Sequence, residues 1–301
     1  MELDGVIIID KPAGITSHDV VARARKILKT RRIGHAGTLD PFATGVLVLC
    51  INRATRLVQF MIGDDKEYLA TMRLGVATDT GDLTGRPLLP ASDAAHITSE
   101  MVKEALSHFR GRIKQVPPMY SAKKIGGVKL YEMARRGVEV EREPIVIEIK
   151  ELELITSKYI RENHSPDFSF RVLCSSGTYV RALVEDIGRE LNVGAHLIDL
   201  RRTRAGACDL QRAVTLERLA EIFDAGRVEQ LIVPMSEVLA MDELQLSSEE
   251  LRAVVHGRSI NYVGDWLNGV HAKLCDPNHN LIAIADYDAA NQCWRPRVVL
   301  A

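Results

Sequence analysis

The segment Gly34-His35-Ala36-Gly37-Thr38-Leu39-Asp40-Pro41-Phe42-Ala43-Thr44-Gly45 constrains the fold more than any other part of the chain. Three glycines, a proline and two threonines exclude a regular helix or a central strand, because glycine loses most backbone freedom on ordering and proline lacks the N–H. They suit a tight loop whose backbone can approach a ligand closely. Asp40 is the one carboxylate inside it, and Pro41 pushes Asp40 out of the α region while fixing the next φ angle. Arg31 and Arg32 precede the loop, and the apolar run Val46-Leu47-Val48-Leu49-Cys50-Ile51 follows it as a strand that gives it a rigid base. A carboxylate held in this way, with cations and the His35 imidazole nearby, is a candidate reaction centre at the edge of a sheet. The alternative is a turn in which Asp40 bonds its own backbone.

Upstream, Val6 to Ile9 reads as a short buried strand closed by Asp10-Lys11-Pro12-Ala13-Gly14. Ser17 is placed to cap a helix in which Val20, Val21, Ala24, Ile27 and Leu28 form an apolar stripe, with Arg23, Arg25, Lys26 and Lys29 on the other face. Downstream, the pattern predicts a helix over 54–61, a strand over 67–76 and a polar loop over 78–85. Thr98 caps a helix that buries Met101, Val102, Ala105, Leu106 and Phe109. The basic, Gly/Pro-punctuated segment 116–127 suits a mobile loop, and 129–137 a short helix. Strands are expected over 138–156 and 168–174, then a helix over 179–191. Strands over 197–204 and 208–214 surround a glycine turn, and Thr215 opens an acidic helix. Helices and strands do not alternate regularly, which points to a mixed α+β sheet and not a doubly wound parallel one. Around Met241 the pattern restarts. Ser247-Ser248-Glu249-Glu250 is a capping box, and short strands at 270–274, 281–285 and 297–300 suggest a small β-barrel-like module. The expected division is 1–240 and 241–301.

Composition narrows the class. With 46% hydrophobic and 26% charged residues, the chain resembles an ordinary soluble globular protein. No apolar run approaches a membrane span, and the N-terminus lacks the basic-then-apolar pattern of a signal peptide. Five cysteines without a Cys-x-x-Cys fit reduced thiols in a cytoplasmic protein better than a disulfide framework or a zinc site. The formal net charge of −1 hides an uneven distribution. Residues 1–60 carry nine Lys/Arg against five Asp/Glu, residues 110–150 ten against five, and residues 216–252 three against nine. Such a polarised surface can attract phosphate despite a neutral total.

The string Gly-His-Ala-Gly-Thr-Leu-Asp-Pro-x-Ala-x-Gly resembles the catalytic motif of the tRNA pseudouridine synthase B family, with every characteristic position present. Gly177-Thr178-Tyr179-Val180-Arg181 resembles a second motif of that family. Lys11-Pro12-x-Gly14 resembles another, read here as structural support for the loop. The resemblance implies the pseudouridine-synthase fold, a mixed and largely antiparallel sheet with flanking helices, followed by an RNA-binding PUA-like domain. It implies conversion of uridine to pseudouridine at position 55 in the T arm of tRNA, without cofactor or metal. It also implies a monomer with no membrane association and no obligate protein partner; the basic, Gly/Pro-punctuated loop over 116–127 suits closure over such an RNA.

That reaction breaks the N1–C1′ bond, turns the base and rejoins it through C5. It needs an ionised carboxylate at the sugar–base junction, a dry pocket and a flipped-out nucleotide. The resemblance marks Asp40 as the essential residue; attack at C1′, addition at C6 and removal of the C2′ proton all stay open. A carboxylate in a dry pocket protonates unless a cation holds it ionised, and the family's paired arginine corresponds to Arg181. Tyr68 matches the active-site tyrosine, whose ring can stack on uracil and whose hydroxyl can serve proton transfer at C5. His35 would fill the gap left by the flipped nucleotide, Leu200 would pack against the base, and Tyr179 stands with them as a substrate contact. Arg201, Arg202 and Arg204 are expected to meet phosphate. Ser176 stands where many relatives carry a basic residue, which leaves a phosphate contact there unassigned. The rival reading is an RNA-binding or RNA-folding protein on the same scaffold. A carboxylate hydrolase would lack the second acid most glycosidases use.

Overall fold

The apolar runs on either side of the glycine-rich loop are strands, and they pair with each other. In the computed structural model, which describes residues 3–121, 123–138, 140–160, 165–261, 264 and 266–300, β1 (Gly5–Lys11) leads into α1 (Ser17–Ile27). The short β2 (Ile33–His35) and β3 (Thr44–Ile51) then bracket the loop. A 3-10 turn (Asn52–Leu57) runs into α2 (Val58–Met61). Next come β4 (Lys66–Leu74), α3 (Ser99–His108), β5 (Gly111–Gln115), the small hairpin β6 (Lys124–Ile125) and β7 (Val128–Lys129), and α4 (Leu130–Arg135). The long pair β8 (Ile145–Ile160) and β9 (Ser165–Cys174) precedes α5 (Val180–Glu190), β10 (Ala195–Ala205), β11 (Cys208–Asp209) and α6 (Leu216–Asp224). The chain ends with β12 (Asp242–Gln245), α7 (Ser248–Val255), β13 (His271–Cys275), β14 (Leu281–Asp288) and β15 (Cys293–Val299).

The main sheet has the order β1-β3-β10-β4-β9-β8-β5, with β2 and β11 paired to β3 and β10. Every pairing is antiparallel except β3 with β10, which runs parallel over Thr44–Arg201 and Gly45–Arg202. The sheet is therefore mixed and largely antiparallel, as expected. Alternation along β4 and β9 sends Tyr68, Ala70, Met72, Phe168, Phe170 and Val172 into one core with Leu183, Val184 and Ile187 of α5. β1 and β3 are buried on both faces, which is why they read as unbroken apolar runs. Ile7, Ile9, Leu47 and Leu49 meet Val20, Val21 and Ala24 of α1 and Leu216 and Leu219 of α6.

Several local expectations need correction. The cap of α1 is Thr16, which exchanges a capping box with Asp19 three residues on; Ser17 is buried and used elsewhere. The segment 54–61 is mostly 3-10 and only its last turn is α-helical. The strand expected from 138 begins at Ile145, directly after Pro144, whose missing N–H suits a strand's edge; residue 139 lies outside the described residues. The strand expected over 208–214 stops at Asp209, whose carboxylate takes the Gln211 N–H at 2.9 Å and starts a 3-10 turn.

The C-terminal strands form a separate sheet in the order β12-β13-β14-β15. It is not loosely attached. Cys275, Leu281, Ile284, Val298 and Leu300 belong to the same apolar cluster as Val6, Ile8, Val46, Val48 and Cys50 on the outer face of β1 and β3. Arg53 donates to the Leu300 carbonyl at 2.7 Å, Arg56 donates to that of Val299, and Lys273 donates to that of Ser236. Deleting the chain from Met241 onward would uncover those side chains at about 1.5–3 kcal/mol each, against a domain stability of about 5–15 kcal/mol. The truncated chain is expected to aggregate or to melt far below the full chain, read by soluble yield and thermal denaturation. A soluble truncation with an unchanged melting temperature would refute this account of the interface. Among the described residues, no helix is long and apolar enough to cross a membrane.

Candidate active site

The loop between β2 and β3 is fastened from beneath. Lys11, at the end of β1 and wholly buried, donates from Nζ to the carbonyls of Pro12, Pro41 and Ala43 at 2.8, 3.1 and 2.7 Å. Burial lowers its pKa to about 8; the Asp40 carboxylate opposes that fall and the Arg202 guanidinium adds to it. Ser17 Oγ donates to the Leu39 carbonyl at 3.1 Å and accepts the Leu39 N–H at 2.9 Å. The Gly14 N–H donates to the Pro41 carbonyl. From the other side comes Arg202 of β10, only 1% exposed. Its Nε donates to the Val46 carbonyl at 2.7 Å, and its two terminal nitrogens to those of Thr38 and Gly37. Gly45 makes this approach possible. Its φ is +99°, and a Cβ there would lie 2.2 Å from the Arg202 carbonyl oxygen.

Asp40 emerges at the rim of this loop with its side chain about one third exposed (34%). Arg181, in the first turn of α5, meets it side-on: Nε lies 2.9 Å from Oδ2 and Nη2 3.2 Å from Oδ1. This paired geometry is the strong form of a carboxylate contact. The rest of the guanidinium is also committed. Nη1 donates to the Thr80 carbonyl at 2.8 Å, and Nη2 to that of Tyr120 at 2.7 Å. Asp82 places Oδ2 3.7 Å from Nη1, while its Oδ1 accepts from the Thr80 and Thr84 hydroxyls and the Thr84 N–H. Two carboxylates thus share one arginine. Burial pushes Asp40 above the ordinary carboxylate range, Arg181 pulls it back, and Asp82 adds to the rise.

Tyr68 on β4 and Leu200 on β10 are buried in the same apolar cluster as Leu39 and Ala43 of the loop, so they wall the region beside Asp40. Tyr68 lies opposite Arg202 in the register. Burial holds its phenol above the ordinary value, with Arg202 working against that, so it stays protonated at neutral pH. Tyr179, half-buried, precedes α5; Gln115 accepts from its N–H at 2.8 Å and donates to its carbonyl at 3.1 Å. His35 stands at the upstream end of the loop. Its Nδ1 is buried with no hydrogen-bond partner, and its ring lies edge-on to that of His18 with centroids 5.5 Å apart. Burial lowers its pKa, helped by His18 and Arg202, which leaves a neutral imidazole at pH 7.

The structure thus joins Asp40 to Arg181 directly, places Tyr68 and Leu200 in the adjacent wall, and sets His35 and Tyr179 at the flanks. The expected phosphate contacts fare differently. Arg202 is buried and supports the loop backbone, which corrects its assignment. Arg201 pairs with Asp10 at 2.7 Å, and Arg204 reaches the Gly206 carbonyl. Within 116–124, Tyr120 contributes its carbonyl to Arg181, while Ala122 lies outside the described residues. Asp82 and Gln115 were not anticipated. Arg202 could have been found by strand alternation, since it shares a face with Leu200.

Residues 25–180 match the family described as "TruB family pseudouridylate synthase (N terminal domain)", and residues 181–240 match "tRNA pseudouridylate synthase B C-terminal domain". The tRNA pseudouridine synthase B of Symbiobacterium thermophilum is 48% identical over 256 residues, covering 85% of this chain and 83% of that protein. That of Mycobacterium tuberculosis is 43% identical over 280 residues, covering 93% and 91%. Among solved structures, a Cbf5-Nop10-Gar1 complex contains a chain with a TM-score of 0.77 at 27% identity, covering 99% of this chain and 85% of that one. An H/ACA RNP bound to a substrate RNA containing 2'-deoxyuridine gives 0.75 at 26% identity, covering 99% and 85%.

Proposed function

Because this chain belongs to the TruB family of pseudouridylate synthases and is an enzyme that isomerises uridine to pseudouridine in tRNA, we propose that Asp40 is its essential carboxylate and uridine 55 of the T arm its target. The observation that carries this reading is the paired Asp40–Arg181 contact at the rim of an apolar wall. A flipped nucleotide brings its sugar–base junction to Asp40, and its uracil stacks on Tyr68 and packs against Leu200. The N1–C1′ bond breaks, the base turns, a C5–C1′ bond forms, C5 loses its proton and N1 gains one. Atoms balance without a donor or an oxidant. The Tyr68 hydroxyl, beside the same wall, serves proton transfer at C5. His35, neutral and with a free ring nitrogen, fills the space the nucleotide vacates, and Tyr179 contacts the substrate from the start of α5.

All these groups come from one chain, so no second copy is needed to complete the site and the enzyme works as a monomer; its tRNA substrate places it in the cytoplasm. Residues 241–301, with their own four-stranded sheet, serve as a PUA-like RNA-binding domain. Tritium release from tRNA carrying C5-labelled uridine tests the reading, with the product sequenced. Release matched by pseudouridine at position 55 alone is expected. Tight binding without release would leave an RNA-folding protein, and modification elsewhere in the tRNA would refute the T-arm assignment.

A further inference from the structure

The chain between His18 and His35 starts and ends at the catalytic loop. His18, in the first turn of α1, lies edge-on to His35, and the chain returns through Arg31 and Arg32 into β2. Helical periodicity puts His18, Ala22, Arg25 and Lys26 on the solvent side, opposite the buried Val20, Val21 and Ala24. The cations here have different employments. Arg25 donates to the Ile33 carbonyl at 2.7 Å and so holds β2. Lys29 lies over the Phe223 ring, and Arg23 faces Glu217 of α6. Lys26, Arg31 and Arg32 are exposed and make no side-chain hydrogen bond or ion pair among the described residues.

That is unlike many arginines elsewhere on the molecule. Arg53 meets Asp4, Arg73 meets Asp167, Arg171 meets Glu67 and Arg212 meets Glu237. Three unpaired cations within seven residues, next to the reaction loop, repel one another until an anion joins them. Ala22, short and exposed in the middle of the helix face, lets a backbone approach closely. The helix of 11 residues spans about 16 Å, the length of several successive phosphates on one strand.

We propose that the exposed face of α1, with Lys26, Arg31 and Arg32, is a track for the phosphodiester backbone of the substrate tRNA as that strand leaves the catalytic loop past His18 and His35. This rests on the reading of the Asp40 loop as the reaction centre. The track positions and does not touch the reacting atoms, so it acts on affinity and not on the chemical step. Phosphate contacts of this kind carry no sequence information but weaken steeply with salt.

The test compares full-length enzymes carrying Lys26→Gln, Arg31→Gln and Arg32→Gln together with a control triple, Arg86→Gln, Lys103→Gln and Arg227→Gln. The control removes equal charge from other exposed positions. The track triple is expected to raise the Kd for tRNA about tenfold or more at low salt and to flatten the salt slope by about 2, at roughly 0.7–0.9 per phosphate contact. Its single-turnover rate at saturating tRNA should match wild type, and Arg31→Lys with Arg32→Lys should bind normally. Unchanged affinity and slope in the track triple, or an equal loss in the control, would overturn the proposal. Asp40→Asn assayed in parallel separates the two readings. If that variant stays active, the reaction centre is elsewhere; if it is inactive while the track triple binds normally, the track alone is wrong.

Discussion

Replacing Asp40 by asparagine should abolish pseudouridine formation while leaving tRNA affinity within a few-fold of wild type. Asparagine keeps the shape and one acceptor oxygen, so the loop fastened by Lys11, Ser17 and Arg202 stays in place. What it loses is the negative charge and the capacity to act as nucleophile or base. The substituted amide also turns one of the two Arg181 contacts into donor against donor. Single-turnover conversion of tRNA, with binding and melting temperature measured on the same preparation, reads this directly. Turnover above about a thousandth of wild type would mean that Asp40 is not the chemical group, since essential residues cost more than that.

Arg181→Met should lose nearly as much, with a characteristic pH signature. Asp40 already sits above the ordinary carboxylate range because its loop and walls partly desolvate it, and Arg181 is the main pull in the other direction. A raised pKa means that the ionised form is lost as pH falls, and lost at higher pH than for a solvent-exposed carboxylate. Taking Arg181 away raises the value further, so the acid limb of kcat/KM should move upward and the neutral-pH rate should fall. Arg181→Lys should recover little. An ammonium cannot serve Asp40 side-on while also donating to the Thr80 and Tyr120 carbonyls. A methionine variant with normal rates and an unmoved acid limb would show that the pair does not set the ionisation of Asp40.

Much of this site was legible before any coordinates, because its signals are local. The glycine and proline pattern around Asp40 demands a loop, and Lys11-Pro12-x-Gly14 reads as a turn that supports it. The family motifs tie Arg181 to Asp40 across 141 residues, which no periodicity could do. What stayed hidden depends on which distant strands become neighbours. β10 is recognisable as a strand, but nothing local says that it lies between β3 and β4. Alternation sets Arg202 on the face of Leu200, but without that placement nothing shows which carbonyls it secures. Asp82 is hidden for a related reason. Its loop bonds largely to itself through Thr80 and Thr84, and only the packing of that loop brings it to Arg181. The cap of α1 was misplaced by one residue, since Thr16 and Ser17 both suit the position. Asp19 decides between them, as it stands three residues after Thr16.

The place of β10 in the sheet also sets an order of events while the protein is being made. Arg202 stands 165 residues after Gly37, whose carbonyl it secures, and β10 supplies the partner that both β3 and β4 need on their inner edges. A ribosome adding about 5–20 residues each second takes on the order of ten seconds or more to cover that distance. Throughout that interval the Asp40 loop lacks its second fastening, and β3, joined by β4 once it is made, presents an unpaired edge of the kind that recruits other chains. An unfinished chain therefore cannot modify RNA, and the same interval is when it most needs shielding from its neighbours.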